Sequence, residues 1–307
     1  MASLKNVKLK IISVKKTSTV TRAMEAVSAV KMRKSQERAM MARPFARAAL
    51  RILSGLSSSI EAQNHPLTRE KREGKTAIIL ITSDKGLAGS LNSAVLKKTE
   101  QFISEESLGK DDLVFLCVGR RGYEFAERRG YEIIEHYTNV SDDVDEEQFR
   151  AITKSVINVQ LSGITKEVRV IYTNFHSTFE QKAAAHKILP LSQKILEHVV
   201  ADILPDKGKY SESRTEVKKI GSYTIEPHGE EGMVLDALLP KLVNITVFHK
   251  MLESKASEHS ARMVAMKNAT DKAKERAQEL TRTFNKVRQA AITREVSEIT
   301  SGIEAMR

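Results

Sequence analysis

The chain has 307 residues, of which 41% are apolar and 5% aromatic, and its formal net charge is +11. This length allows one large or two modest domains, and the positive charge favours acidic partners: nucleic acid, anionic lipid or an acidic protein surface. The single cysteine, Cys117, excludes an intrachain disulfide or a thiol-based metal site. No run of eighteen apolar residues occurs, so the sequence predicts no membrane span.

A long amphipathic helix is predicted over positions 3–58. Its apolar stripe has two parts, separated by a threonine-rich segment: Leu4, Val7, Ile11 and Val14, then Met24, Val27 and Val30. Pro44 is expected to bend or break this helix, because proline removes a backbone hydrogen bond. A helix lying on a globular core is one interpretation, but the length favours a coiled coil with a second long helix.

The hydrophobic period changes in the middle of the chain, over positions 75–228. Strands are predicted at 76–82, 113–118, 132–137 and 168–172, with short edge strands at 187–191 and 222–225. Helices are predicted at 91–106, 122–129, 142–161 and 193–203, and Asp142 and Asp143 are interpreted as a solvated helix start. Alternating strands and helices indicate βαβ units and a mostly parallel sheet.

The loop at 83–90 follows a strand and opens a helix, where a phosphate-binding loop would lie. It does not match Gly-x-x-x-x-Gly-Lys-Ser/Thr or Gly-x-Gly-x-x-Gly, so a tight turn with Asp84 or Ser90 capping the helix is the better interpretation. The eight histidines form no His-Glu-x-x-His pair, and no catalytic arrangement is recognisable from spacing. We therefore predict no catalytic residue, cofactor or metal site.

The last segment, 232–307, has the spacing of a coiled-coil helix. Alternate steps of four and three residues reach twelve positions, ten of them apolar: Leu252, Ala256, His259, Met263, Met266, Thr270, Ala273, Ala277, Leu280, Phe284, Val287 and Ala291. No proline follows Pro240 and no glycine lies between Gly232 and Gly302, so nothing in between breaks a helix. His259 is expected to fix the register between helices.

These patterns predict an α/β protein with three parts. Segments 1–60 and 232–307 form a long antiparallel coiled coil of the N- and C-terminal helices, and 75–228 forms a central Rossmann-like α/β domain. Pairing the two ends of the chain buries both apolar stripes.

Three parts of the sequence, in order, resemble the gamma subunit of F-type ATP synthases. Segments 12–17 (ISVKKT) and 21–32 (TRAMEAVSAVKM) resemble its opening helix, and 82–92 (TSDKGLAGSLN) resembles the first loop of its α/β domain. Segments 256–270 (ASEHSARMVAMKNAT) and 288–295 (RQAAITRE) are similar to its C-terminal helix. The resemblance covers essentially the whole chain.

The resemblance implies a non-catalytic rotor that turns inside a ring of alpha and beta subunits and contacts the epsilon subunit and the membrane c-ring. It implies a peripheral protein on the cytoplasmic face of a bacterial inner membrane or, alternatively, on the matrix face of the mitochondrial one. No cofactor, nucleic acid or direct membrane insertion is expected. The residues matched to partner contacts are Met24, Lys31, Arg288, Gln289, Thr293 and Glu295; Arg294 departs from the glutamine common in the family.

Two other functions compete with the rotor. One is a nucleotide- or flavin-binding enzyme built on the α/β domain. The other is a nucleic-acid binder that uses the basic first helix, although that helix has no interleaved aromatic residue before Phe45.

Overall fold

The computed structural model describes residues 4–41, 64–142, 146–191 and 231–306. The elements of these residues are α1 (Leu4–Met41), β1 (Lys75–Ile81), α2 (Leu91–Glu105), β2 (Leu113–Val118), α3 (Arg120–Arg129), β3 (Glu132–Tyr137), α4 (Glu146–Leu161), β4 (Thr165–Phe175), β5 (Gln181–Leu189) and α5 (Glu231–Ala305). Compact packing divides the chain into two units, one of Met1–Ala29 with Arg262–Arg307, and one of Val30–Ala261.

The sheet lies in the second unit and has the strand order β3-β2-β1-β4-β5. The pairs β1–β2, β1–β4 and β2–β3 are parallel, and β4–β5 is antiparallel. A connection of only five residues joins β4 to β5, which suits a hairpin and is too short for a parallel crossover. The predicted mostly parallel α/β architecture is therefore confirmed.

The bounds of β2 and β3 match their predictions, whereas β4 and β5 are longer than predicted. The predicted strand at 187–191 overlaps the end of β5, which begins at Gln181. Pro44, the helix at 193–203 and the strand at 222–225 lie outside the described residues.

Side chains of the sheet alternate between two apolar clusters, because successive residues of a strand point to opposite faces. On one face Ile78 and Leu80 of β1 join Val95 and Phe102 of α2 and Ala126 of α3. On the other face the sheet packs against α4 and the first part of α5, which is anchored by five leucine and valine side chains: Leu235, Leu239, Leu242, Val243 and Val247. This packing places α5 directly on the sheet.

By length and composition, a stretch of the 75-residue helix α5 is apolar enough to cross a membrane. A helix that fills a protein core has the same length and composition. Leu239, Val247 and Met251 of α5 are each at most 1% exposed inside the core. The core role accounts for the apolar character of this part of the helix.

Helices α1 and α5 pair, with the Thr21 and Thr270 hydroxyls 2.6 Å apart. Lys31, ten residues after Thr21, and His259, eleven residues before Thr270, both bond to Asp142, so the two helices run in opposite directions. In α5 each predicted seam position from Leu252 to Val287 is buried or half-buried, and Ala291 is exposed. The predicted antiparallel coiled coil and its register along α5 are confirmed.

The predicted stripe on α1 is wrong in its second part. Val27 and Val30 are 54% and 69% exposed, whereas Ser28 and Ser35 are 3% and 2% exposed. Steps of seven residues from Val7 lead to Thr21, Ser28 and Ser35, so the seam continues through small hydroxyl residues rather than through the valines.

The buried hydroxyls of Thr21 and Thr270 at the seam are satisfied by hydrogen bonds, which explains why they are tolerated there. The Thr21 Oγ1 lies 3.1 Å from the Ser18 carbonyl oxygen, and Thr270 Oγ1 lies 2.8 Å from the Met266 carbonyl oxygen. The pattern of apolar residues alone therefore misses this half of the helix contact.

Candidate partner-contact surface

The end of α5 extends past the described part of α1. Leu4 lies seventeen residues before Thr21, and Val287 lies seventeen residues after Thr270, so the described antiparallel pairing reaches as far as that pair. Every residue from 288 to 306, here named the overhang, is exposed. The overhang is a single helix within its unit.

An apolar stripe runs along the overhang at helical spacing. It consists of four large side chains that are each more than half exposed: Ile292, Val296, Ile299 and Ile303. Exposed apolar side chains that form a contiguous stripe mark interaction sites more often than scattered ones do. We therefore regard this stripe as the centre of a protein-contact surface.

Four of the predicted partner-contact residues flank this stripe. At about 100° per residue, Arg288 and Glu295 lie on one side of the Ile292–Ile299 line, and Gln289 and Thr293 lie on the other. Arg294, the departure from the family pattern, lies on the far side, where its Nε donates to Glu298 Oε1 at 2.8 Å. The overhang thus presents chemically different faces around its axis.

Met24 lies elsewhere on the same unit. Its side chain is half-buried beside the coiled-coil seam, three residues from Thr21. Its register position opposite Lys267 is about 30 Å along the helix from Arg288, at about 1.5 Å per residue. Met24 is therefore not part of the overhang surface, and its partner contact stays a prediction.

Lys31 lies in the other unit and forms an internal ion pair. Its Nζ donates to Asp142 Oδ2 at 2.5 Å, and its side chain remains 44% exposed. The internal bond holds α1 against the loop after β3. A partner contact by the exposed part of Lys31 remains a prediction.

Asp142 is the centre of a charged cluster rather than a solvated helix start. Its Oδ1 accepts a hydrogen bond from His259 Nε2 at 2.9 Å and lies 3.9 Å from Lys255 Nζ. The His259 bond, with the Lys31 bond and the charge of Lys255, holds the pKa of the Asp142 carboxyl well below its usual range, although burial opposes this. For Asp142 the interpretation as a solvated helix start is wrong, because those three partners are distant in sequence; Asp143 lies outside the described residues.

His259 was predicted to fix the register between helices, and its described bond is to the loop residue Asp142. The His259 side chain is 4% exposed and lies on the buried part of α5. Lys255 also donates to the Val140 carbonyl oxygen at 3.0 Å. This side of α5 is thus bound to the loop that follows β3.

Another group of polar contacts joins α5 to β4 and to the turn after it. Lys250 Nζ donates to the Tyr172 hydroxyl at 2.8 Å, and Ser257 Oγ donates to the Thr173 carbonyl oxygen at 3.2 Å. Ser260 Oγ donates to the Thr178 carbonyl oxygen at 2.7 Å. These contacts were not predicted from the sequence. Lys250, Ser257 and Ser260 are polar residues in or next to the apolar stretch of α5, and their position there could have indicated buried polar contacts.

The loop at 83–90 ties two strand ends together. Asp84 Oδ1 accepts from the backbone N–H of Arg120 at 3.0 Å, and Ser83 N–H donates to Asn92 Oδ1 at 3.0 Å. Ser90 stands at the N-terminus of α2 but its side chain makes no capping bond. The predicted capping of α2 is therefore wrong, because Asp84 caps α3 instead.

A small cleft beside this loop bears on the nucleotide-binding alternative. Thr82, Asp84, Gly119 and Glu258 line it together with Lys255. Two carboxylates repel phosphate, and the lysine is already bonded to Val140 and close to Asp142. In the described part of the chain, no three His, Cys, Asp or Glu residues group as a metal site requires.

Comparison with known proteins gives the family. The model of the ATP synthase family matches residues 3–306. The chain is 35% identical over 306 residues to the ATP synthase gamma chain of Heliobacterium modesticaldum and 35% identical over 307 residues to that of Moorella thermoacetica. In both cases the match covers 100% of each chain.

Solved structures share the fold. The chain superposes on the rotor of the Euglena gracilis mitochondrial ATP synthase with a TM-score of 0.61 and 16% identity, over 94% of this chain and 99% of that one. It superposes on the central stalk and c-ring structure of the Tetrahymena thermophila mitochondrial ATP synthase with a TM-score of 0.55 and 22% identity, over 81% and 99%. These structures share the fold, and the family model that matches residues 3–306 defines the chain as an ATP synthase subunit.

Within that enzyme, the full-length matches identify one subunit. The chain belongs to the ATP synthase gamma chain family. The resemblance that the sequence motifs carried is thereby confirmed.

Proposed function

We propose that this chain is the central rotor stalk of a proton-translocating F-type ATP synthase, coupling rotation of the membrane c-ring to conformational changes in the catalytic beta subunits. The observation that carries this proposal is the overhang, a single exposed helix that continues from a coiled coil and has different faces around its axis. The solved structures with the same fold, which are rotor, central stalk and F1/c-ring assemblies, support it.

Asymmetry is the property that a rotor needs. A ligand shifts a conformational equilibrium only through different interactions with the two states. On the overhang, the Ile292 and Ile299 stripe faces one way and the Arg294–Glu298 ion pair faces another. Turning such a helix inside a ring changes which surface each beta subunit meets, and therefore which nucleotide state is favoured.

The paired part of the two helices supplies the stiffness. The seam alternates buried Thr21 and Ser28 on α1 with buried Met266, Thr270 and Ala277 on α5. All of these side chains except Met266 are small, which allows the two helices to approach closely, and a pair of packed helices resists twisting better than a loop. The basic residues of α1, which include Lys5, Lys8 and Lys15, suit acidic surfaces on the alpha and beta subunits.

We infer that the chain performs no catalysis alone and that it lies at the membrane surface, on the cytoplasmic face of a bacterial inner membrane. The bacterial gamma chains among its relatives support this location. The epsilon subunit and the c-ring are the expected partners of the sheet domain, without direct insertion of this chain into the lipid.

The test is reconstitution with alpha and beta subunits. The complex is expected to hydrolyse ATP and to rotate a bead attached to this chain, whereas the isolated chain hydrolyses none. Robust turnover by the isolated chain, or failure of the complex to form, contradicts the proposal.

Paired substitutions on the overhang sharpen that test. Ile299→Glu places a charge in the apolar stripe, and Ser301→Glu places the same charge on the opposite side of the helix. Burying an isoleucine side chain contributes about 1.5–3 kcal/mol, so Ile299→Glu is expected to weaken assembly by about tenfold or more, and Ser301→Glu by less. Equal effects argue against the stripe as a contact.

A further inference from the structure

Helix α5 is held by polar contacts from two opposite sides within the unit that contains the sheet. On the first side, Lys250, Ser257 and Ser260 donate to Tyr172, Thr173 and Thr178, respectively. On the second side, His259 and Lys255 contact Asp142. The arrangement of these contacts around the helix axis suggests a role beyond stability.

The two sets lie almost diametrically across α5. An α-helix turns by about 100° per residue, which puts Ser257 about 20° from Lys250 around the axis and Ser260 about 80° from it on the same side. The same geometry puts Lys255 about 140° and His259 about 180° from Lys250. When a helix is held on two opposite sides, the two sets of contacts together resist its rotation about its own axis. Contacts on one side alone allow the helix to roll about that side.

These hydrogen bonds depend on direction, whereas the packing of the apolar core does not. Hydrophobic burial is non-directional, so side chains can shift past one another with little loss, whereas a hydrogen bond weakens steeply once its length and angle change. A side chain tip lies about 5–6 Å from the helix axis, so a rotation of about 20° moves it by about 2 Å. Such a displacement breaks a bond of the length observed between Lys250 and Tyr172.

Asp142 also binds α1, which the contacts of Tyr172, Thr173 and Thr178 do not. Its Oδ2 accepts from Lys31 of α1, while its Oδ1 faces His259 and Lys255 of α5. One carboxylate thus binds the parts of α1 and α5 that belong to this unit to the loop after β3. Charge-assisted hydrogen bonds of this kind are the stronger ones.

We propose that this two-sided grip, formed by Asp142 on one side of α5 and by Tyr172 with the Thr173 and Thr178 carbonyls on the other, carries torque between the sheet domain and the two helices. The inference rests on the proposed rotor function. Asp142 and Tyr172 are positioning residues: they fix the angle of α5 relative to the sheet and contact no nucleotide.

The test uses the assembled ATP synthase with its stator immobilised and a bead on the c-ring. The variance of bead angle during catalytic pauses reports torsional stiffness. Asp142→Asn removes the charge on one side, and the double variant Ser257→Ala with Ser260→Ala removes two bonds on the other with little change of shape. Asp271→Asn, at an exposed ion pair with Lys274, is the matched control.

Each grip variant is expected to increase the angular variance, and all three changes combined are expected to at least double it, while Asp271→Asn leaves it unchanged. Unloaded ATP hydrolysis should remain within about twofold of wild type, which a mere loss of folding would not allow. If the combined variant shows the same variance of bead angle as the wild type, the proposal that these contacts carry torque is wrong. If the wild-type chain itself fails to assemble or rotate, the proposed function fails instead.

Discussion

A single charge at the coiled-coil seam tests the pairing of α1 with α5. Ala277 is 7% exposed and lies seven residues after Thr270, which places it opposite Val14. Helix axes that pack this way lie about 8–10 Å apart, so the side chain introduced by Ala277→Glu must bend outward or open the seam. Burying a polar group without partners costs about 2–7 kcal/mol.

The lower end of that range applies here. The seam is narrow enough for a glutamate to reach water, and α1 is basic around Val14, with Lys10 and Lys15 nearby in sequence. Adding a few tenths of a kcal/mol for the weaker helix propensity of Glu gives a loss of about 2–3 kcal/mol. At about 2–4 °C per kcal/mol, the midpoint of the coiled-coil transition should fall by about 5–10 °C.

Thermal melting of the full chain, followed by circular dichroism at the helical band, measures this. Gln278→Glu introduces the same side chain at the adjacent exposed position and is the control. Ala273→Glu, at a half-buried seam position, should give a smaller decrease. If Ala277→Glu melts at the temperature of Gln278→Glu, the assigned register is wrong.

Three further predictions concern the sheet domain. Burial raises the pKa of Cys117 to about 12, so about one thiol in ten thousand is ionised at pH 8, and a thiol reagent should label the native chain only after unfolding. Gly119 has a φ of 98°, and a Cβ there would lie 2.1 Å from the Thr82 carbonyl oxygen, so Gly119→Ala should destabilise by about 3 kcal/mol or more in urea unfolding. Gly89→Ala, with a positive φ but open space around it, should lose about 1 kcal/mol. The folded-state pKa of Asp142 is depressed, so its stabilisation is present above the ordinary value of 3.8 and is lost as the pH falls below it. The difference in melting temperature between wild type and Asp142→Asn should therefore shrink below about pH 4 and stay constant near neutrality; an undiminished difference at pH 2 would falsify this assignment.

Secondary structure could be predicted from the sequence wherever the apolar residues form a regular local pattern. The bounds of β2 and β3 follow from short apolar or β-branched runs between loops, and the seam of α5 follows from a regular apolar spacing. The alternation of strands and helices then restricted the sheet to a mostly parallel arrangement. These features depend on neighbours in sequence, which is why they were predictable.

The errors arose where a distant partner decides the role of a residue. Val27 and Val30 form an apolar pattern, but the buried side of α1 carries Ser28 and Ser35 instead. Asp142 has the local context of a helix start, yet its partners Lys31 and His259 are more than 100 residues away. Contacts between residues that are far apart in sequence produce no repeating pattern of residue types, so they cannot be read from the sequence alone.

The overhang of α5 has a consequence for the free chain. In proteins, helices gain most of their stability from packing an apolar face. Residues 288–306 are exposed throughout, so before assembly their helical order depends on their own weak propensity. We expect this end to fray and to exchange its amide hydrogens within seconds when alone, and to become protected once a surrounding ring closes on it. The proteins of that ring then complete the order of the helix that turns inside them.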